Sequence, residues 1–260
     1  MSVDVSTLPV PPLPTLLNLN ATVPEDIDVQ KVASEWLNAL SDAIESNNPN
    51  DAAGLFIEDC WWRDMLALTW DFRTFHGAPE IRTFLRDRIE AVHPKAFKLR
   101  RDFLELQRPY EDLAWIRALF DFETDAGIGF GIFRLVPTAT GEWKAHVVYT
   151  NLEDLKGFPE KIGSLRKPEP NHGPWEEDRK REKEFENSDP VVLVVGAGQS
   201  GLEIAARLKS YEIQTLIVER NERIGDNWRK RYDALCLHDT VCKCQDWIYA
   251  SNSNFESNRV

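Results

Sequence analysis

The sequence predicts an α+β domain followed by a partial α/β unit. Apolar residues first recur at helical spacing and then at every second position, which is typical of helices followed by an antiparallel sheet. Further along, a short apolar run enters a glycine-rich turn near position 190. The predicted organisation is a disordered leader (1–27), an α+β domain (28–155), a linker (156–189), a partial nucleotide-binding unit (190–241) and an irregular tail (242–260).

The composition of the chain limits its function classes. Its formal net charge of −12 disfavours a nucleic-acid partner, because phosphate binding needs a basic surface. We expect no membrane span and no signal peptide, since no apolar run is long enough and the N-terminus lacks a basic region. Cys60, Cys236, Cys242 and Cys244 are interpreted as free thiols without a metal site, which favours a cytoplasmic protein.

Three helices are predicted in the first domain. The first has an apolar face of residues four apart, and Asn47–Asn50 ends it. A short second helix is predicted over 51–56, and a third opens at Gly77-Ala78-Pro79. The predicted inward residues are Val32, Trp36, Leu40 and Ile44 in the first helix, and Ile81, Phe84, Leu85, Ile89 and Val92 in the third.

Alternating patterns then predict strands with one face toward the core. They cover 97–106, 113–122, the run around 128–132, and 143–149. The alternating sets are Phe97, Leu99 and Phe103; Ala114, Ile116, Ala118, Phe120 and Phe122; Ile128, Phe130 and Ile132; and Trp143, Ala145, Val147 and Tyr149.

The glycine-rich turn has the spacing of a dinucleotide site. Val191–Val195 is predicted as a buried parallel strand, and GAGQSG at 196–201 fits GxGxxG. Gly196 permits the tight turn, Gly198 lets the backbone approach a pyrophosphate, and Gly201 allows close helix packing. Glu219, 23 positions after Gly196, ends the next strand and can accept hydrogen bonds from ribose hydroxyls. Its charge would repel a 2′-phosphate, which favours FAD or NAD over NADP.

Three segments, GAGQSGLEIAARL, IVERNERIGDNW and RYDALCLHDTV, together resemble the flavin-containing monooxygenase family over about residues 190–241. The resemblance implies FAD as the cofactor and places Glu219 on its ribose. The alternatives of a core aromatic for Trp228 and a loop histidine for His238 stay open. Asp226 departs from the family, where many members have a glycine. The implied cofactor-binding residues are Gly196, Gly198, Gln199, Ser200, Gly201, Glu219, Asn227, Trp228 and His238, with Asp239 in the region that approaches the flavin.

Members of that family use NADPH and O₂ to oxygenate a small molecule at N or S. The 260 residues contain one GxGxxG and no second one for NADPH, so we expect this chain to be an FAD-binding portion that is inactive alone. No catalytic residue is assigned. The alternative is a non-catalytic binding or dimerisation module with a partial nucleotide fold. A disulfide-reductase-like flavoprotein is disfavoured, because the spacing of Cys242 and Cys244 is wrong for a redox pair.

Residues 28–155 resemble the nuclear transport factor 2-like (SnoaL-like) cone, and CWWRDMLALTWDFRTFHG at 60–77 resembles a segment fused to some fungal flavoprotein monooxygenases. Such a cone can hold a ligand pocket, in which Asp64, His76 and His146 would be polar groups. The alternative is structural: Arg63 pairs with a carboxylate and His146 faces away from the alternating set of its strand. The resemblance also implies a homodimer formed through the open sheet.

Overall fold

A computed structural model describes residues 12–166, 173–186, 189–231 and residue 233. The chain divides into two compact units, residues 1–157 and 158–260. The first packs helices on an antiparallel-rich sheet, and the second contains a βαβ unit with a parallel strand pair. The predicted fold class is therefore confirmed. No helix in these described ranges is both long and apolar enough to cross a membrane.

The predicted helices of the first unit are present as α1 (Val29–Glu45), α2 (Pro49–Gly54) and α3 (Ala78–Val92). The Asp28 side chain caps α1 by accepting a hydrogen bond from the Lys31 main-chain N–H at 2.9 Å. The apolar faces pack inward as the spacing predicts, apart from Val32, which is only partly buried; the buried members include Trp36, Leu40 and Ile44 of α1 and Ile81, Phe84 and Leu85 of α3.

The sheet of this unit has six strands in the order β2-β1-β6-β5-β4-β3. Neighbours are antiparallel except β1 and β6, which are parallel. The sequence predicts only the last four strands; β1 and β2 form an additional hairpin at one side. The strand bounds are β1 Phe56–Met65, β2 Phe72–His76, β3 Lys95–Tyr110, β4 Leu113–Glu123, β5 Gly127–Pro137 and β6 Trp143–Leu155.

Three predicted strand faces need correction. The apolar set of β5 lies on the open face of the sheet, while Gly127, Gly129 and Gly131 face the core. Glycine is required at two of these positions because the rings of β4 lie against them: a Cβ at Gly131 would be 2.2 Å from Phe120 Cζ, and one at Gly129 would be 2.6 Å from Phe122 Cζ. The apolar alternation of β5 thus marks the wrong face.

Register irregularities explain the other two corrections. An irregularity in the pairing of β5 with β6, between Arg134 and Leu135, buries Ala145, Val148 and Thr150 and leaves Val147 and Tyr149 on the open face. A similar irregularity in β3 leaves Phe103 half exposed. Leu104 and Leu106 instead pack against the core. Each irregularity shifts a period-two pattern by one residue, which exchanges the two faces.

Cys60 is the free cysteine that the described residues contain, and it is fully buried on β1. Burial raises the pKa of its thiol to about 12. A thiol that stays protonated is a poor nucleophile, so Cys60 is a packing residue. Cys236, Cys242 and Cys244 lie outside the described residues.

The segment before α1 folds back on the sheet. The Leu16 main-chain N–H donates to the carbonyl oxygen of Asp112, in the β3–β4 turn, at 2.7 Å. Pro14 is buried, and Ile27 packs against the core. Residues 12–27 are therefore ordered against the sheet, whereas the sequence predicts a disordered leader over 1–27.

The second unit contains α4 (Trp175–Glu184), β7 (Val192–Val195), α5 (Gln199–Ser210), β8 (Thr215–Val218) and the short α6 (Asp226–Arg229). Val192 of β7 pairs in parallel with Thr215 of β8, as predicted. The predicted burial of this strand is wrong: Val191, Leu193 and Val195 are exposed, because the sheet formed by the described residues has two strands and leaves one side of β7 uncovered. Residues 158–166, expected to be a solvated linker, lie along α5: Glu160 accepts a hydrogen bond from Arg207 at 2.6 Å, and the Lys161 N–H donates to the Ser210 carbonyl oxygen at 2.7 Å.

Candidate nucleotide-binding site

The chain turns sharply where β7 meets α5. Gly196 has φ +104°, a conformation that L side chains rarely adopt, and its N–H donates to the Val218 carbonyl oxygen at 2.7 Å. A Cβ at Gly201 would lie 1.9 Å from the Gly196 carbonyl oxygen. Both glycines are therefore needed by the protein itself, to turn the chain and to seat α5 against the turn.

Gly198 is different, because the protein leaves room beside it. Its φ of −79° suits any residue, and the nearest atom to an added Cβ would be Asn227 Nδ2 at 3.5 Å. Gly198 is the N-cap of α5, where no side chain caps the helix and no acidic residue stands in its first turn. The turn therefore leaves open space beside the uncapped N-terminus of α5, where the helix dipole is positive. Such a position suits an anion such as pyrophosphate.

Glu219 lies directly after β8 and contacts the glycine-rich turn. Its Oε2 accepts a hydrogen bond from the Ala197 main-chain N–H at 2.7 Å. Its Oε1 accepts from both the main-chain N–H and the side-chain amide of Asn221, at 2.9 and 2.6 Å. These donors, the main-chain groups of Asn221 and Ala197 above all, lower the pKa of Glu219. The carboxylate is therefore ionised at neutral pH and held beside the turn.

The other predicted cofactor residues divide by position. Gln199 donates to Glu203 on α5 at 3.1 Å, and Ser200 is exposed in the first helical turn. Asn227 and Trp228 lie on α6, exposed and half-buried respectively, and the Asn227 amide is the one next to Gly198. The structure thus brings Asn227 to the turn. His238 and Asp239 lie outside the described residues.

Asp226, which departs from the family pattern, closes the turn before α6. Its buried carboxylate accepts hydrogen bonds from the Arg223 main-chain N–H at 3.2 Å and from Arg229 at 2.8 Å. The carboxyl is desolvated, which by itself would raise its pKa, but Arg229 and Arg223 outweigh this and the pKa is lowered. Gly225 before it adopts φ +86°. The Asp226 side chain thus stabilises this turn.

Asp64 of the first unit is buried, but it binds the protein's own backbone. Its carboxylate accepts from the main-chain N–H groups of Leu68 and Thr69, the latter at 2.9 Å, and from the Thr69 hydroxyl at 2.7 Å. The Thr150 hydroxyl donates to it at 2.6 Å and in turn accepts from Trp62 Nε1 at 3.0 Å. Asp64 therefore fixes the β1–β2 loop. The structural alternative expected Arg63 to pair with a carboxylate. Arg63 instead donates to Thr74 at 2.7 Å.

His76 and His146 do not join Asp64. His76 lies on the open face of the sheet, where its Nε2 is 2.6 Å from Asp59 Oδ1 and its ring stacks on Trp61 at 3.9 Å between centroids. His146 is half-buried, and burial lowers its pKa; the Asp59 charge raises this pKa by a smaller amount, and the Arg134 charge lowers it further. Because Asp64 points to the core and the histidines interact with open-face residues, the predicted pocket trio is not assembled.

The described residues contain no group of three or more His, Cys, Asp or Glu side chains that could hold a metal ion.

The sequence analysis missed two side chains that shape the nucleotide site. These are Asn221, which binds Glu219, and Asp226, whose carboxylate closes the turn before α6. The sequence offers one signal for them: Asn221 follows Glu219 closely and Asp226 follows Gly225, and short polar side chains at such positions commonly bind nearby backbone groups.

Residues 194–250 match the family model of an NAD(P)-binding Rossmann-like domain. The chain is 52% identical over 46 residues to an uncharacterised oxidoreductase, CzcO-like, from Geobacillus kaustophilus, which covers 18% of this chain and 13% of that protein. It is 42% identical over 50 residues to indole-3-pyruvate monooxygenase YUCCA1 from Oryza sativa subsp. japonica, covering 19% and 12%. These matches show weak homology to an oxidoreductase and to a monooxygenase. They span about an eighth of the length of those relatives.

Among solved structures, the chain is similar to nuclear transport factor 2 from Cryptosporidium parvum, with a TM-score of 0.37 and 13% identity over 51% of this chain and 100% of that one. It is also similar to a ketosteroid isomerase-like protein from Erwinia carotovora atroseptica, with a TM-score of 0.37 and 14% identity over 48% and 96%.

Proposed function

We propose that the second unit is the FAD-binding portion of a flavin-dependent monooxygenase. The observation that carries this proposal is the ionised Glu219 held 2.7 Å from the Ala197 N–H, beside a turn with open space at Gly198. A carboxylate there accepts from a ribose hydroxyl and disfavours a 2′-phosphate, and the helix N-terminus attracts a pyrophosphate. The resemblance of about residues 190–241 to flavin-containing monooxygenases favours FAD over NAD.

The residues present fit an FAD molecule at its ADP half. Gly196, Gly198, Gln199, Ser200 and Gly201 would hold the pyrophosphate, Glu219 the ribose, and Asn227 with Trp228 the riboflavin side. Bound FAD would supply the redox chemistry, with NADPH as reductant and O₂ as oxidant, for oxygenation of a small molecule at N or S. We assign no residue to NADPH. We place the protein in the cytoplasm, and we expect the 260-residue chain alone to catalyse no oxygenation.

Flavin absorbance of the purified chain after FAD is added tests this function. We expect the wild type to retain FAD through gel filtration and Gly198→Ala to bind it at least about tenfold more weakly, because a methyl group fits the protein but occupies the approach of the pyrophosphate. Ser210→Ala, at the far end of the same helix, is the control and should bind like the wild type. A colourless wild type, or equal affinity of the two variants, would contradict the proposal.

A second function of the first unit, as a homodimerisation module, is favoured by the open face of its sheet. Half-buried apolar side chains cover this face between charged pairs such as Arg100 with Asp121 and Arg117 with Glu105, both at 2.5 Å. Arg134 also lies over the Trp115 ring at 4.7 Å. Mixed apolar and paired charged groups suit a self-complementary two-fold interface. The apolar members are Trp61, Trp115, Leu119, Phe130, Ile132, Val147 and Tyr149.

Sedimentation velocity tests the dimer. We expect the wild type to sediment as a dimer and Ile132→Glu, in the middle of the face, to sediment as a monomer, because a buried unpaired carboxylate opposes association. Ile128→Glu is the matched control on the same strand and face, near its end, where the side chain is already 43% exposed. It should leave the dimer intact. A monomeric wild type would exclude this function.

A further inference from the structure

Asn221 holds the Glu219 carboxylate with two donors. Its main-chain N–H lies 2.9 Å from Glu219 Oε1, and its side-chain Nδ2 lies 2.6 Å from the same oxygen. A carboxylate oxygen accepts about two hydrogen bonds, so Asn221 alone fills Oε1. The other oxygen, Oε2, receives the Ala197 N–H at 2.7 Å and has room for one more donor.

Lys230 determines which way the Asn221 amide points. Its ammonium group lies 2.9 Å from Asn221 Oδ1. Because an ammonium only donates hydrogen bonds, the amide oxygen must face Lys230, and the amide nitrogen is then directed at Glu219. The hydrogen-bond network therefore fixes the amide assignment independently, and a chain of contacts runs from Lys230 through Asn221 to Glu219.

The consequence concerns where the carboxylate can accept a ligand. With Oε1 filled and Oε2 anchored, the Glu219 side chain cannot rotate without losing hydrogen bonds to a charged group, each of which is individually strong. Its remaining acceptor position lies on Oε2, the oxygen bound to the glycine-rich turn. A hydroxyl that meets this position is bound, while a phosphate group there meets a fixed negative charge.

We propose that Asn221 is a specificity-determining positioning residue, which holds Glu219 so that the site selects adenine nucleotides with a free ribose 2′-hydroxyl over 2′-deoxy and 2′-phosphorylated ones. The inference rests on the proposed function, because it takes this turn as the place where the adenosine diphosphate part of the cofactor binds. It adds a residue that acts through Glu219.

Calorimetric titration of the 260-residue chain with ADP, 2′-deoxy-ADP and the 2′-phosphate of ADP (adenosine 2′-phosphate 5′-diphosphate) tests this role. We expect the wild type to prefer ADP over 2′-deoxy-ADP by about tenfold, as for one hydrogen bond to a charged group. In Asn221→Ala the preference should fall to about twofold, mainly through weaker ADP binding, and the discrimination against the 2′-phosphate should also fall. Asn221→Ser, which restores a short donor, should recover part of the preference.

The outcomes separate the two proposals. Glu222→Gln, an exposed neighbour on the same loop, is the control and should keep the wild-type preference. A merely structural role of Asn221 would weaken all three nucleotides by the same factor, and that result would overturn the inference while leaving FAD binding in place. A wild type that binds neither ADP nor FAD would overturn the proposed function and the inference together.

Discussion

Asp64→Ala is expected to lower the free energy of unfolding of the first unit by about 3–5 kcal/mol. The substitution removes the acceptor of the Leu68 and Thr69 main-chain N–H groups and of the Thr150 hydroxyl. Leu68 and Thr150 are buried and Thr69 is half-buried, so these donors lose their acceptor where little water can replace it. Urea unfolding, followed by tryptophan fluorescence and by circular dichroism, measures the change. Thr150→Val should cost less, because Asp64 keeps its main-chain donors.

Asp59→Asn is the matched control for this prediction. Asp59 lies on the same strand but on the open face, where its carboxylate is 37% exposed and binds His76. Exposed pairs of this kind contribute little, so the unfolding free energy should change by less than about 1 kcal/mol. Equal effects of Asp64→Ala and Asp59→Asn would show that the buried hydrogen bonds do not stabilise the β1–β2 loop. A stable Asp64→Ala would reopen a ligand-binding role for this carboxylate.

The contrast between these two carboxylates shows what the sequence could predict in the first unit. Helical spacing located α1 and α3, since burial there follows one uninterrupted period. Helical spacing could not reveal the structural role of Asp64. The groups that donate hydrogen bonds to its carboxylate come from a loop four or five residues later and from β6, 86 positions away. Contacts at such separation leave no local pattern. For the same reason, the sequence does not reveal that His76 and Asp64 lie on opposite faces of the sheet.

In the second unit, the sequence predicts the glycine-rich turn between β7 and α5 better than it predicts the loop that follows β8. Gly196 and Gly201 follow from local geometry, because a positive φ and a close backbone contact demand glycine at a fixed spacing. Glu219 follows from its place at the end of the next strand. Asn221 and Asp226 did not follow, because each acts by orienting a neighbouring group in a loop whose path the sequence leaves open.

Strand β5 supplies the second large prediction, since its core face consists of glycines. Gly131→Ala is expected to destabilise the first unit by about 2–4 kcal/mol, because the new Cβ would lie 2.2 Å from Phe120 Cζ and 2.7 Å from the Tyr149 carbonyl oxygen. Neither the strand backbone nor a ring packed among other buried rings can move far enough to accommodate the methyl group without a large energetic cost. Equilibrium urea unfolding of the variant measures the loss.

Gly54→Ala is the control, since no atom lies within 4 Å of the added Cβ and the residue is helical. It should be neutral or slightly stabilising. Phe120→Leu combined with Gly131→Ala tests the cause: a smaller side chain relieves the ring clash, so the double variant should lose less than the sum of the single losses. Strict additivity would assign the cost to the Tyr149 backbone contact. A fully stable Gly131→Ala would show that the aromatic rings of β4 do not pack against the glycine face of β5.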